Sequence, residues 1–158
     1  MSIELVRIDD RLIHGQVVMA WSRAVVAQHL VVIDDKVATD EIRKILLKTV
    51  APPHIKVSIL TAKQGIEALL CDKFGNEKLL LLFTNPQTIM TLLEGGVKIS
   101  TVNIGGMSFS PGKTQLTTAV SVNEQEHYAF KKLHAQGVAL QIQMLPNDTP
   151  IDMMTKLK

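Results

Sequence analysis

Short, nearly pure apolar runs alternate with segments of helical period along this 158-residue chain, and that alternation constrains the fold more than any other feature. The runs at 30–33, 55–60 and 79–83 carry almost no polar residues. A strand with one face in water alternates apolar and polar. Strands as uniformly apolar as these are expected when helices cover both faces of a sheet. The segments between them have helical spacing. Val17, Ala20, Trp21, Ala24 and Val25 follow the i, i+3, i+4, i+7, i+8 pattern, and Ile42, Ile45, Leu46 and Thr49 form a second stripe that Thr39 or Asp40 can cap. The reading is strand at 2–8, 30–33, 55–60, 78–83, 98–104, 115–122 and 138–144, and helix at 15–28, 39–50, 62–74, 85–93 and 123–135, with a short helix at 151–157. Repeated βα units of this kind predict an open, mainly parallel, doubly wound α/β sheet with helices on both faces and right-handed crossovers. Segment 115–122 follows a strand with no helix between, so an antiparallel strand is expected late in the chain.

Composition narrows the class. Hydrophobic residues at 46% against 20% charged exclude disorder and suit one domain over residues 1–158. Seventeen basic against 15 acidic residues give a charge of +2, too small for nucleic acid to be the main partner. The lone Cys71 excludes an internal disulfide and a multi-thiolate zinc site, and reads as a small apolar helix residue. The first residues lack the pattern of a secretory signal, and the longest apolar run, 79–83, is far below the ~20 residues a membrane helix needs. A cytoplasmic protein is expected.

In open α/β sheets ligands bind beyond the carboxyl ends of the strands. Those ends feed loops at 9–14, 34–37, 84–86 and 105–113, and the first is the richest: Arg7-Ile8-Asp9-Asp10-Arg11-Leu12-Ile13-His14-Gly15-Gln16. A neutral imidazole is a nucleophile near neutral pH. Gly15 permits an unusual turn behind His14, and the free N–H groups of the helix that follows would face an anion there. Arg11 adds a forked cation suited to phosphate oxygens. A histidine that picks up a phosphoryl group wants this setting, while a capping histidine among solvated charges is the plainer reading. Asp9 and Asp10 would repel phosphate, so a structural role is favoured: either can fix the imidazole tautomer or pair with Arg7 or Arg11. Paired with His14 they also leave a metal-dependent hydrolase open, with no further carboxylates to support it.

Other features carry less. Gly112-Lys113-Thr114 resembles the end of a P-loop, but Met107 stands where that motif needs glycine. His127 and His134, seven residues apart, are separated by about 10.5 Å of helix rise, too far to share one metal. His29 and His54 read as strand-entry or loop residues, and Trp21, Met19, Met90 and Met144 as core. Thr84 and Asn85 fit a helix cap, with Pro86 in its first turn. In the 105–113 loop, Met107 and Phe109 either contact a partner or fold inward, and both readings stand.

The run from Arg7 to Val17 closely resembles the IIB component of the mannose/fructose/sorbose family of the bacterial phosphoenolpyruvate-dependent sugar phosphotransferase system. The likeness continues at Ala51-Pro52-Pro53, Leu82-Phe83-Thr84-Asn85-Pro86, Glu94-Gly95-Gly96-Val97-Lys98-Ile99, Asn103-Ile104-Gly105-Gly106-Met107, Pro111-Gly112-Lys113-Thr114-Gln115 and Ala119-Val120-Ser121-Val122, nearly the whole chain. The resemblance implies an open, mainly parallel α/β sheet and the activity of a protein-Nπ-phosphohistidine–sugar phosphotransferase. It implies that a IIA histidine donates a phosphoryl group to His14 at Nδ1, and that the group passes on to a sugar held by membrane IIC and IID subunits, with which the protein associates peripherally. Arg11 matches the arginine that holds the phosphoryl group, and Asp9 an acidic residue of the active loop. No metal or other cofactor is implied, and a separate IIA donor is expected. A homodimer stays open, and the sugar is not legible.

Overall fold

The computed structural model describes residues 1–157. Its centre is a seven-stranded sheet built from β1 (Ser2–Asp9), β2 (His29–Ile33), β3 (Lys56–Leu60), β4 (Lys78–Phe83), β5 (Thr101–Gly106), β8 (Ala139–Ile142) and β9 (Ile151–Asp152). The strand order is β3-β2-β4-β1-β5-β8-β9, and every pairing is parallel except β8 with β9. Two short strands, β6 (Thr114–Gln115) and β7 (Ser121–Val122), form a separate antiparallel hairpin.

The helices are α1 (Gly15–Ala24), α2 (Asp35–Ala38), α3 (Glu41–Val50), α4 (Ala62–Leu70), α5 (Pro86–Glu94) and α6 (Glu124–Ala135). From β1 the chain steps to β2 and then β3 in one direction. It reverses at β3 and steps through β4 and β5 to β8 in the other. Right-handed crossovers therefore put α1–α3 on one face and α4–α6 on the other. The two cores agree. Val18, Trp21, Val37 and Leu47 pack with Leu30, Val32, Leu80 and Leu82, whereas Leu69, Ile89, Leu92, Phe130 and Leu133 pack with Val31, Ile33, Leu79 and Leu81. Leu30–Ile33 and Leu79–Phe83 are fully buried, each such side chain contributing about 1.5–3 kcal/mol, as their unbroken apolar runs require. The expected mainly parallel, doubly wound sheet with helices on both faces is the observed one.

Several details differ from the sequence reading. Segment 115–122 is no single strand: its ends form the β6–β7 hairpin, closed by Thr117 and Val120, with Val120 N–H donating to Thr117 O. The antiparallel strand of the main sheet is instead β9, where a short helix was expected, and only Met153–Thr155 turn helically, as a 3-10 segment. Helix α1 stops at Ala24 because Val26 takes a left-handed φ of 54°. Helix α2 was not anticipated; the Asp34 side chain nucleates it by accepting from Val37 N–H at 3.0 Å. Asp40, not Thr39, caps α3. The stripe Ile42, Ile45 and Leu46 identifies that helix but faces water, and Leu47 is its buried residue. Trp21 is core and Met19 and Met90 are half-buried, but Met144 is exposed. Cys71 caps the end of α4 and is exposed rather than packed.

Away from the carboxyl ends of the strands, His29 opens β2. Its Nδ1 lies 3.1 Å from Glu77 Oε1 and its Nε2 2.7 Å from Ser58 Oγ. Lys56 Nζ reaches Glu77 Oε2 at 2.9 Å. The bonds from Lys56 and then His29 hold the Glu77 carboxyl below its ordinary 4.5.

Candidate active site

Strands β1 and β5 are neighbours whose outgoing connections run in opposite directions across the sheet. Such a switch point opens a crevice at the carboxyl ends, and both the 9–14 loop and the 105–113 loop leave from it. Register fixes their approach: Asp9 pairs with Gly106, and Asp10 N–H donates to Gly106 O at 3.0 Å.

The loop itself is tightly wound. Leu12 N–H donates to Asp9 O at 2.9 Å, and Leu12, fully buried, takes a left-handed φ of 59°. That conformation strains a leucine, and its buried side chain offsets the strain by anchoring the loop in the core. His14 is the N-cap position of α1, but its side chain makes no capping bond. Gly15, the first residue of the helix, takes a left-handed φ of +45°, a conformation glycine adopts without strain. No acidic residue lies in the first turn, so the helix terminus keeps its positive character beside His14.

Asp9 organises the site. Its side chain is 1% exposed and accepts on both oxygens. Oδ2 lies 2.8 Å from His14 Nε2, and Oδ1 accepts from Arg11 N–H at 3.1 Å, with Arg11 Nε at 3.6 Å. A carboxylate only accepts, so His14 Nε2 carries the ring proton and Nδ1 presents its lone pair. Arg11 is more than half exposed, so its guanidinium, though within 3.6 Å of Asp9 through Nε, is also open to solvent.

Beneath Asp9 lies Arg7, one of the two arginines the sequence offered as its partner, in a buried setting the sequence did not show. Arg7 is fully buried. It pairs with Asp9 at 3.6 Å, donates to the Asn103 side chain, to Gln143 O at 2.9 Å and to Met144 O at 3.1 Å, and lies 5.2 Å from the centre of the Trp21 ring. Burial lowers its pKa to about 10, opposed by the charge of Asp9, so it remains a cation at neutral pH. Gly105 makes this possible: a Cβ there would lie 2.6 Å from Arg7 Nη1 and nearer still to Cζ and Nη2. The available signal was the alternation along β1, which puts Arg7 on the same face as Asp9 and opposite the Asn103–Gly105 stretch of β5. Arg7 gives the buried Asp9 side chain the charged partner that a buried carboxylate requires.

Asp10 works separately, its Oδ2 accepting from Ser108 N–H at 2.7 Å and its backbone oxygen from Arg43 Nη2 at 3.4 Å. The two aspartates thus take structural pairings rather than combining on one face of His14. Thr84 donates to Asp34 Oδ2 at 2.5 Å and Asn85 caps α5, the plain reading of that turn. The 105–113 loop divides its apolar residues: Met107 is buried, whereas Phe109 is 64% exposed.

Comparisons with known proteins identify the family. Residues 3–158 match the family model described as the PTS system sorbose subfamily IIB component. The chain is 46% identical over 154 residues to the mannose-specific EIIAB component of Escherichia coli K12, covering 98% of itself and 48% of that relative. It thus spans about half the length of the mannose-specific relatives it matches. It is 41% identical to the sorbose-specific EIIB component of Klebsiella pneumoniae, covering 99% of this chain and 96% of the other. The crystal structure of the IIBSor domain of the K. pneumoniae sorbose permease superposes with a TM-score of 0.95, at 41% identity over 99% of this chain and 96% of that one. The match runs from β1 through the last turn, so the chain belongs to the sorbose subfamily of IIB components of the phosphotransferase system.

Proposed function

We propose that this chain, as one IIB domain over residues 1–158, is a histidine phosphocarrier in sugar uptake. His14 accepts a phosphoryl group at Nδ1 from a phosphohistidine of a IIA donor and passes it to a sugar held by membrane IIC and IID subunits. The observation that carries this reading is the 2.8 Å contact between His14 Nε2 and Asp9, which leaves Nδ1 as the free nucleophile. When Nδ1 attacks phosphorus, the N–P bond to the donor breaks and the ring becomes an imidazolium, with its proton still on Nε2. The Asp9 carboxylate lies against that developing positive charge. On the return step the new N–P bond breaks, a P–O bond forms to the sugar hydroxyl, and the ring is neutral again. No proton enters or leaves His14 in either direction; the hydroxyl proton departs from the sugar side.

A loose, in-line transfer leaves the protein mostly positioning and charge stabilisation to do. Arg11 and the α1 terminus supply positive character where the phosphoryl oxygens pass. Asp9, held by Arg7, fixes the ring. No helix among residues 1–157 is long and apolar enough to cross a membrane. In this reading the protein works in the cytoplasm and meets its membrane subunits peripherally.

Intact-mass measurement tests this. After incubation with phosphoenolpyruvate, the general phosphotransferase components and IIA, the wild type is expected to gain one acid-labile phosphoryl group and His14→Ala none. A phosphorylated His14→Ala, or a wild type that binds phosphate without gaining mass, refutes the reading.

A further inference from the structure

The largest feature of this surface that phosphoryl chemistry leaves unexplained is the outer face of α3. Ile42, Ile45, Leu46 and Val50 are 74%, 64%, 59% and 54% exposed, while Leu47 alone turns fully inward. Single exposed aliphatics are ordinary. Four at i, i+3, i+4 and i+8 make one continuous row, and a row of that kind marks a contact surface. Phe109, 64% exposed on the 105–113 loop, stands apart from it in sequence.

Asp10 joins the two. Its carboxylate accepts from Ser108 N–H, the residue before Phe109, and its backbone oxygen accepts from Arg43, which lies between Ile42 and the rest of the row. Asp10 itself sits next to Asp9 in the phosphorylation loop. Phe109 and the first turn of α3 are therefore two apolar arms that Asp10 ties to the loop that presents His14 and Arg11. Direct transfer between two histidines requires the donor's surface to close over His14. A standard contact patch of about 800 Å² is a disc of roughly 16 Å radius, enough to take in both arms.

Charge selects among partners that could close over this site. The row on α3 is interleaved with Arg43, Lys44 and Lys48 against Glu41 and the capping Asp40, and Arg11, next to Asp10 in sequence, is exposed. That cationic surround suits a partner arriving with a dianionic phosphoryl group and not one presenting a neutral sugar. Once the phosphoryl group has moved to His14, it cancels local positive charge on this chain and favours release.

We propose that Phe109 and the Ile42–Ile45–Leu46–Val50 face of α3 form the docking surface for the phosphohistidine donor domain, with Asp10 as the clamp that holds the two arms in register. This rests on the phosphocarrier reading of His14.

The test uses Ile45→Asp, Leu46→Asp and Phe109→Asp in the full chain, all at exposed positions. Three rates are read: loading of His14 from phosphorylated IIA, loading from phosphoramidate, which needs no docking, and transfer from preloaded protein to sugar in membranes carrying IIC and IID. The expected result is a loss of about tenfold or more in kcat/KM from IIA for each variant, the scale for one central apolar contact. Phosphoramidate loading and onward transfer should stay at wild-type rates. Unchanged loading from IIA overturns the proposal. Selective loss of onward transfer overturns it by assigning the face to the membrane subunits, and a wild-type dimer dissolved by Ile45→Asp assigns it to a second copy. A wild type that neither donor loads at His14 removes the phosphocarrier reading itself, whereas a loaded wild type with indifferent variants removes the docking proposal alone.

Discussion

Gly105→Ala isolates the support beneath Asp9 and His14. The φ of Gly105 lies outside the left-handed region, so alanine meets no backbone objection, and the added methyl would by itself be neutral or slightly favourable. Its nearest obstacle is the Arg7 guanidinium, which the Cβ would overlap. Displacing that group breaks its bonds to Asn103, Gln143 O and Met144 O and strips Asp9 of its buried counter-charge. Hydrogen bonds to a charged group contribute about 1.5–3 kcal/mol each, but some return to water, so their sum overstates the loss. Breaking a buried ion pair costs about 3–5 kcal/mol, and we take that as the expected magnitude. At roughly 2–4 °C per kcal/mol for a domain of this size, Tm should fall by roughly 6–20 °C. Urea unfolding of wild type, Gly105→Ala, Arg7→Gln and the double variant closes the cycle. The shorter glutamine side chain of Arg7→Gln ends before the guanidinium position, so Gly105→Ala in that background should cost less than about 0.5 kcal/mol, giving a coupling of about 3 kcal/mol. A Gly105→Ala penalty below about 1 kcal/mol, or the same penalty in both backgrounds, refutes the buried-arginine account.

Arg11→Ala should slow phosphoryl acceptance by about 10²–10³ while leaving urea stability unchanged, because the side chain is mostly exposed. Arg11→Lys should recover only part of the rate for want of the forked donor set, and wild-type rates in either variant, from stopped transfer assays, contradict its role. At the other end of the sheet, Glu77 has a lowered pKa, so its stabilising contribution is present above its ordinary 4.5 and is lost as pH falls through the folded value. Urea unfolding at about pH 7 should show Glu77→Gln less stable than wild type, and the gap should narrow as pH falls below 4.5; a gap that stays constant or widens in acid rules out the ion-paired carboxylate.

The fold was legible because its central strands are apolar without interruption, and only burial on both faces explains Leu30–Ile33 and Leu79–Phe83. The candidate loop was legible because Arg11, His14 and Gly15 are neighbours in sequence, although their residue types alone left a capping histidine and a metal site open beside phosphoryl transfer. Its support was not. Arg7, Asn103, Gly105 and the carbonyls of Gln143 and Met144 meet only through the β1–β5–β8 register, which no local pattern encodes. The stripe on α3 misled about its direction for a related reason: periodicity shows that a helix has an apolar face, but whether that face meets the core or a partner depends on tertiary placement. The late antiparallel pairing was anticipated at 115–122, where β6 and β7 form it outside the main sheet, whereas β9 went unread because it is two residues long and is fixed by pairing with β8 rather than by its own sequence.

The central claim is that Asp9 holds His14 by Nε2 and so dedicates Nδ1 to phosphoryl transfer. Long-range ¹H–¹⁵N and ³¹P NMR on protein labelled in histidine and loaded through IIA reads the linkage directly. The account predicts a single phosphohistidine, at His14, with phosphorus on Nδ1 and the proton retained on Nε2; phosphorus on Nε2, or on any other residue, contradicts it.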